Sequence, residues 1–296
     1  MDKPKTVKLT AGDRTFYVVV NAFLIFIGVV IAIPMISTIT QSVTPNGYLG
    51  NTFEKFVLAP WKWDGSAYRA LLGNNGFILA FWNSIKIMVF GVLTALSLTV
   101  PMAYCMSVPD LPGKKILNYF VLIPYVFNIG TIPTYLVVTG LHLTNHIAAI
   151  FIPGAIGTYN CLIMRGFFEG IPESLKESAR IDGAAEWYVL LSIILPLSKP
   201  IIMTIGLYYA VNFWNDFMHA LLYLTNDKLN PLPILLRNIL MGANMGENVD
   251  VNAFGDASVA AIKAASVFMS AIPMMFAYPF IQKYFTKGTM LGSVKG

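Results

Sequence analysis

The feature that most constrains this chain is a set of apolar runs too long for ordinary core helices. A hydrocarbon layer about 30 Å thick takes about 20 helical residues to cross. Six runs of that length lie at approximately 17–40, 80–106, 116–141, 143–164, 200–225 and 257–282, and only Lys86, Asp216 and Lys263 carry formal charge inside them. Backbone groups in lipid must satisfy one another, so such runs predict helices. The expected fold class is all-α: a polytopic membrane protein with six transmembrane helices. The first run is too long for a signal-peptide core and no small-residue cleavage site follows it, so it reads as a retained anchor.

Composition agrees, at 56% hydrophobic and 12% charged, against roughly a quarter charged in a soluble domain. The net charge of +5 raises the question of nucleic acid. No basic cluster is interleaved with aromatic residues, so nucleic acid is not expected as a partner and the lipid bilayer is. Cys105 and Cys161 sit in apolar segments without metal-ligand spacing, which reads as core packing with no metal.

Lysine and arginine favour the cytoplasmic loops. Of the 20 such residues, Lys55, Lys62, Arg69, Lys228 and Arg237 fall on one side, Lys86 and Lys263 within spans, and the other 13 on the side of the N-terminus. Both termini are therefore expected in the cytoplasm, which makes residues 1–16 an N-terminal cytoplasmic tail. Two long connections, about 41–79 and 226–256, face outward, with Trp61, Trp63 and Trp82 near the first. Residues 17–79 then comprise the first span and its external loop. Pro34, Pro101, Pro124, Pro133, Pro153, Pro273 and Pro279 punctuate the spans, either as tolerated kinks or as hinges beside a water-lined path.

One inward loop, about 165–199, is long and charged. Pro172 suits the first turn of a helix and Glu173 suits its dipole. Leu175, Ala179, Ala184, Ala185, Val189 and Leu190 supply apolar contacts, while Lys176, Glu177, Arg180 and Asp182 keep polar sides. Gly183 weakens a continuous helix by about 1 kcal/mol relative to Ala, so a bend or a close approach is expected there. The pattern predicts a helix–turn–helix at the membrane surface, for which an amphipathic surface helix is an equally simple reading.

The spacing from Glu177-Ser178-Ala179 through Gly183 to Ile193-Ile194-Leu195-Pro196 resembles the signature of inner-membrane subunits of binding-protein-dependent ABC importers, with Ser178 where Ala is usual. The segments "WNSIKIMVFGVLTALSLTVPMAY" (82–104) and "VNFWNDFMHALLYL" (211–224) resemble spans of carbohydrate permeases, and "KGTMLGSVKG" (287–296) is similar to the tail of maltose-type permeases. The resemblance implies a type I ABC importer permease fold, with a transmembrane type-1 domain over 80–285, a coupling helix at about 172–191 and a cytoplasmic tail at 286–296. It implies that Glu177, Ala179, Asp182 and Gly183 contact a cytoplasmic ATPase, and that Gly288, Gly292, Lys295 and Gly296 reach the ATPases from the tail. The implied partners are a homologous second permease subunit, two ATP-binding subunits or a homodimer of one ATPase, and an extracytoplasmic sugar-binding protein.

This chain has no G-x-x-x-x-G-K-[ST] loop to cradle phosphates. No bound cofactor is expected, and ATP with Mg would be held by the ATPase partners. The function implied is a non-enzymatic permease subunit of a carbohydrate importer, oligosaccharide in class, in a bacterial cytoplasmic membrane. A permease for another solute shares the same loop. A free-standing carrier or membrane enzyme would need buried acids, and the spans offer one carboxylate.

That carboxylate, Asp216, stands beside Trp214, Asn215 and His219, and an ion pair with Lys86 or Lys263 would lower its cost in the membrane. Either lysine could instead reach its membrane surface. Sugars need hydrogen-bonding groups and flat aromatic faces, which makes Tyr125, Asn128, Tyr208, Tyr209 and Asn212 candidates for the substrate path. The same residue types also hold membrane helices together.

Overall fold

A computed structural model describes residues 11–48, 59–127, 129–245 and 258–292, which form helices joined by turns and irregular segments. The chain divides into two units, 1–73 with 250–269 and 74–249 with 270–296.

In the first unit, α1 (Ala11–Ser42) is apolar on every side, with none of its most hydrophobic window buried. That distribution suits a helix whose solvent is lipid. Pro34 interrupts its backbone ladder, and the Thr38 hydroxyl donates to the Pro34 carbonyl at 2.8 Å while Thr40 donates to Ile36 at 2.9 Å. Both hydroxyls bond back to the carbonyl four residues earlier, which satisfies them within the helix. Beyond α1, Asp64 accepts from the Ser66 amide at 3.0 Å and the Ser66 hydroxyl at 2.7 Å, which starts α2 (Ser66–Gly73). Those bonds, the Ser66 hydroxyl foremost, hold the Asp64 carboxyl below its ordinary pKa.

The second unit is built on α3 (Asn75–Ser107). Its buried residues include Phe77, Ala80, Ser84, Ile87, Gly91, Ala95, Thr99 and Ala103, a three-and-four spacing that forms one face. Small side chains on that face let neighbouring helices approach. A Cβ at Gly91 would lie 2.6 Å from the Phe213 ring, so this contact requires glycine. The face packs chiefly on α10 (Lys199–Trp214) and α7 (Thr158–Glu169). Polar groups pin its N-terminal half: Asn83 donates to the carbonyls of Lys228 (2.9 Å) and Asn230 (3.2 Å), and the Ser84 hydroxyl accepts from the Leu232 amide at 2.8 Å.

Among the described residues, three helical stretches, Gly12–Ser42, Asn75–Ser107 and Val259–Ala277, are long and apolar enough to cross a membrane unbroken. The expected third span is divided into α4 (Lys114–Val126) and α5 (Thr131–Gly140), with Gly130 at φ +79° between them. The expected fourth is divided into α6 (Ala148–Phe151) and α7, the break carrying Pro153, Gly154 and Gly157. Then come α8 (Glu173–Ile181) and α9 (Glu186–Leu197), the latter meeting α10 at a bend of 84°. The expected fifth span breaks at 215–217 before α11 (Met218–Tyr223), where the Asn215 side chain donates back to the Val211 carbonyl at 2.9 Å. Next are α12 (Leu232–Met245) and α13 (Val259–Gly292), which contains Pro273 and Pro279. In each broken run, residues that favour turns or compete for backbone bonds stand at the break. Cys161 is buried with its Sγ 3.7 Å from Met106 Sδ, as a packing residue would be.

Candidate functional site

The charged loop folds as helix, turn, helix. Pro172 takes the position before α8, one residue earlier than expected, and Glu173 opens the first turn where its charge complements the helix dipole. The helix ends at Asp182 because Gly183 turns left-handed, at φ +80°. The Gly183 amide donates to the Arg180 carbonyl at 3.0 Å and the Ala184 amide to the Ala179 carbonyl at 2.9 Å, the paired bonds of a Schellman cap. No atom lies within 4 Å of where a Gly183 Cβ would stand. The glycine is therefore required by the backbone angle and not by crowding within this chain.

One ion pair locks the two arms of the turn and two more brace α8. Arg180 donates through Nε to Glu186 Oε1 at 2.7 Å and through Nη1 to Glu173 Oε1 at 3.0 Å; Lys176 Nζ donates to Glu173 Oε2 at 2.9 Å. Lys176 is 3% exposed, which corrects its expected place on the polar side of the helix. Burial of a lysine requires a partner, and Glu173 is that partner. The Tyr104 hydroxyl, from α3, donates to Glu186 Oε2 at 2.5 Å. Lys176 first and then Arg180 hold the Glu173 carboxyl below its ordinary pKa; Arg180 and then Tyr104 do the same for Glu186, and the Arg180 guanidinium is raised, chiefly by Glu186.

Among the described residues these ion pairs leave out Glu177 and Asp182, which are exposed, while Ala179 is half-buried against the core. Beside them Ile181, Trp187 and Tyr188 are exposed at 79%, 65% and 60%. Exposed aromatic side chains such as Trp187 and Tyr188 are enriched at protein interfaces. Trp187, Tyr188, Glu186 and Tyr104 were not among the residues expected from sequence. An aromatic pair just past the glycine turn was the available signal for the first two.

The other expected residues are dispersed. Tyr125, Tyr208 and Asn212 are exposed, and Asn128 lies outside the described residues. Tyr209 is buried, its hydroxyl 2.7 Å from Thr99 Oγ1 and accepting from the Gly157 amide at 2.9 Å. That hydroxyl is committed to joining α3, α7 and α10. Asp216 accepts from the His219 amide at 3.1 Å and lies 2.7 Å from His219 Nδ1. Its partner among the described residues of this unit is thus His219 and not the exposed Lys86; a histidine three residues away closes the pair within one turn. Lys263 belongs to the first unit. Gly288 and Gly292 lie in α13, and Lys295 and Gly296 lie outside the described residues. Among the described residues no group of three His, Cys, Asp or Glu could hold a metal ion.

Residues 75–290 match the family described as binding-protein-dependent transport system inner membrane component. The polygalacturonan/rhamnogalacturonan transport system permease protein YtcP of Bacillus subtilis (strain 168) is 37% identical, over 96% of this chain and 99% of its own length. The arabinooligosaccharides transport system permease protein AraQ of the same organism is 26% identical, over 95% and 96%. Among solved structures, a chain from a bacterial ABC transporter involved in import of the acidic polysaccharide alginate superimposes with a TM-score of 0.85 at 31% identity, over 95% of this chain and all of that one.

Proposed function

The chain belongs to the binding-protein-dependent transport system inner membrane component family, and from that premise we propose that it is a permease subunit of an ATP-driven carbohydrate importer. Family membership makes it a transport subunit of the inner membrane and not an enzyme. Carbohydrate, as oligosaccharide, is the substrate class we infer. Relatives named for polygalacturonan/rhamnogalacturonan and arabinooligosaccharide transport, and the alginate importer chain, each align with 95% or more of this chain.

In this reading six spans cross the membrane, with the pairs α4–α5, α6–α7 and α10–α11 each serving as one, and both termini lie in the cytoplasm. The distribution of lysine and arginine supports that orientation. Residues 80–285 form the transmembrane domain, and a homologous permease completes the translocation path. Tyr125, Tyr208 and Asn212 remain candidates to line it, and Tyr209 serves as a structural residue. An extracytoplasmic binding protein delivers the sugar. Two ATP-binding subunits, or a homodimer of one, hold ATP with Mg, and α8 with its turn docks on them; the tail from Gly288 to Gly296 reaches them as well.

The observation that carries the docking reading is the display of Glu177, Asp182 and Ile181 on a turn whose shape Gly183 sets. Closure of the ATPases on ATP would draw the docked loops together and rock the spans between inward- and outward-facing states. Gly183→Asp tests it, since it strains the left-handed backbone and adds charge to the docking face. Loss of both ATPase assembly and transport is expected, and persistence of both would contradict the reading.

A further inference from the structure

We infer that the docked loop moves as one body with the far end of α3, through the side-chain chain Arg180–Glu186–Tyr104, in addition to the bent backbone link at Leu195-Pro196. The inference rests on the proposed docking of an ATPase on this loop. Two routes leave the loop for the membrane spans, and their structures differ.

The backbone route is bent. Val189–Ile194 winds as a π-helix, whose wider ring is uncommon. Pro196 follows without an amide to donate. The chain then bends by 84° at Ser198, whose buried hydroxyl has no hydrogen-bond partner among the described residues. The Ser198 amide still donates to the Ile194 carbonyl at 2.9 Å and its carbonyl accepts from the Ile202 amide at 3.0 Å, so this route bends without losing its backbone bonds.

The side-chain route is short and saturated. Both Glu186 oxygens are taken, one by Arg180 at 2.7 Å and the other by Tyr104 at 2.5 Å, and Arg180 reaches back to Glu173 at 3.0 Å. Hydrogen bonds with a charged member are about twice as strong as neutral ones. Tyr104 is buried at 5% exposure within a helix of 33 residues. That helix is anchored at its other end by Asn83, bonded to the carbonyls of Lys228 and Asn230. A displacement of the loop is therefore delivered to α3 and along it to the opposite end of the unit. Tyr104, Arg180 and Glu186 act as positioning residues for transport; none needs to touch sugar or nucleotide.

The test uses the intact complex in nanodiscs, with Cys105 and Cys161 replaced by Ala and nitroxide labels at Ser174 on α8 and Leu98 on α3. Distances are recorded without nucleotide and with ATP plus EDTA, and ATPase copurification is scored. The parent chain should show one narrow distance that ATP leaves unchanged. Tyr104→Phe removes one oxygen and keeps the ring in the core; alone and with Glu186→Gln it should retain the ATPase yet lose the narrow distance when ATP is added. A Tyr104→Phe, Glu186→Gln chain that retains the ATPase and the narrow distance overturns the clamp alone. A parent chain that captures no ATPase overturns the docking reading and the clamp with it.

Discussion

Arg180 Nε lies 2.7 Å from Glu186 Oε1, across a turn that exists only because Gly183 adopts φ +80°. The pair joins two short helices into one surface. It is also where the glycine's role becomes measurable.

Gly183→Ala should weaken the loop by about 1–2 kcal/mol, the cost of a left-handed L-residue, without adding charge. Transport should fall partially, and limited proteolysis should cut the loop faster than in the parent chain. Asn, which tolerates that backbone region better, should lie between Ala and Gly. An Ala variant that matches the parent in both assays would show that the turn is not under this constraint.

The clamp carries a pH signature. Glu173 and Glu186 have depressed folded pKa values, so their contribution is fully present above the unfolded glutamate value of about 4.3 and is lost as pH falls through the folded values below it. Both glutamates are substantially exposed, so the effect is screened and local. Hydrogen exchange in 173–188 should be protected to the same degree between about pH 5 and 8, after correction for intrinsic exchange. Protection should drop as pH goes below about 4; a drop near pH 6 would point to another group.

Removing the Tyr209 hydroxyl should loosen the packing of three helices. Tyr209→Phe leaves Thr99 Oγ1 and the Gly157 amide without that partner, which costs roughly 1–2 kcal/mol for a buried polar group. Thermal stability in detergent should fall accordingly, with substrate KM unchanged. A raised KM at unchanged stability would return Tyr209 to the substrate path.

At Gly91 the neighbour is a ring. Gly91→Ala places a Cβ 2.6 Å from Phe213, and overpacking of this kind costs typically about 1–3 kcal/mol. Phe213→Leu in the same chain should recover part of the loss in thermal stability. Strict additivity of the two losses would argue that the helices are not in the contact described.

Much of the architecture was open to reading because the bilayer imposes it. Long apolar runs require helices, and the small residues Gly91, Ala95 and Ala103 on α3 mark a packing face by their spacing. The breaks were harder. Pro153 and Pro101 look alike in a sequence, yet Pro101 lies within an unbroken helix and Pro153 lies in a gap; neighbouring glycines at 154 and 157 separate the cases. Glu177, Ala179, Asp182 and Gly183 are candidates because their spacing resembles a family signature, whereas the bond from Tyr104 to Glu186 spans 82 residues. It depends on how α3 and α9 pack, which no local pattern encodes. Lys176 was misplaced for a related reason: a helical lysine is normally solvated, and its burial depends on Glu173 standing three residues before it.

The central claim is that this loop receives the motion of an ATPase. It is tested most directly by a single cysteine at position 177, in a chain with Cys105 and Cys161 replaced by Ala, crosslinked within the purified complex. Position 177 should give an adduct with the ATP-binding subunit, and a control cysteine at Trp61, expected on the opposite face, should give none. An ATPase adduct from position 61, or none from 177 while the ATPase copurifies, would contradict it.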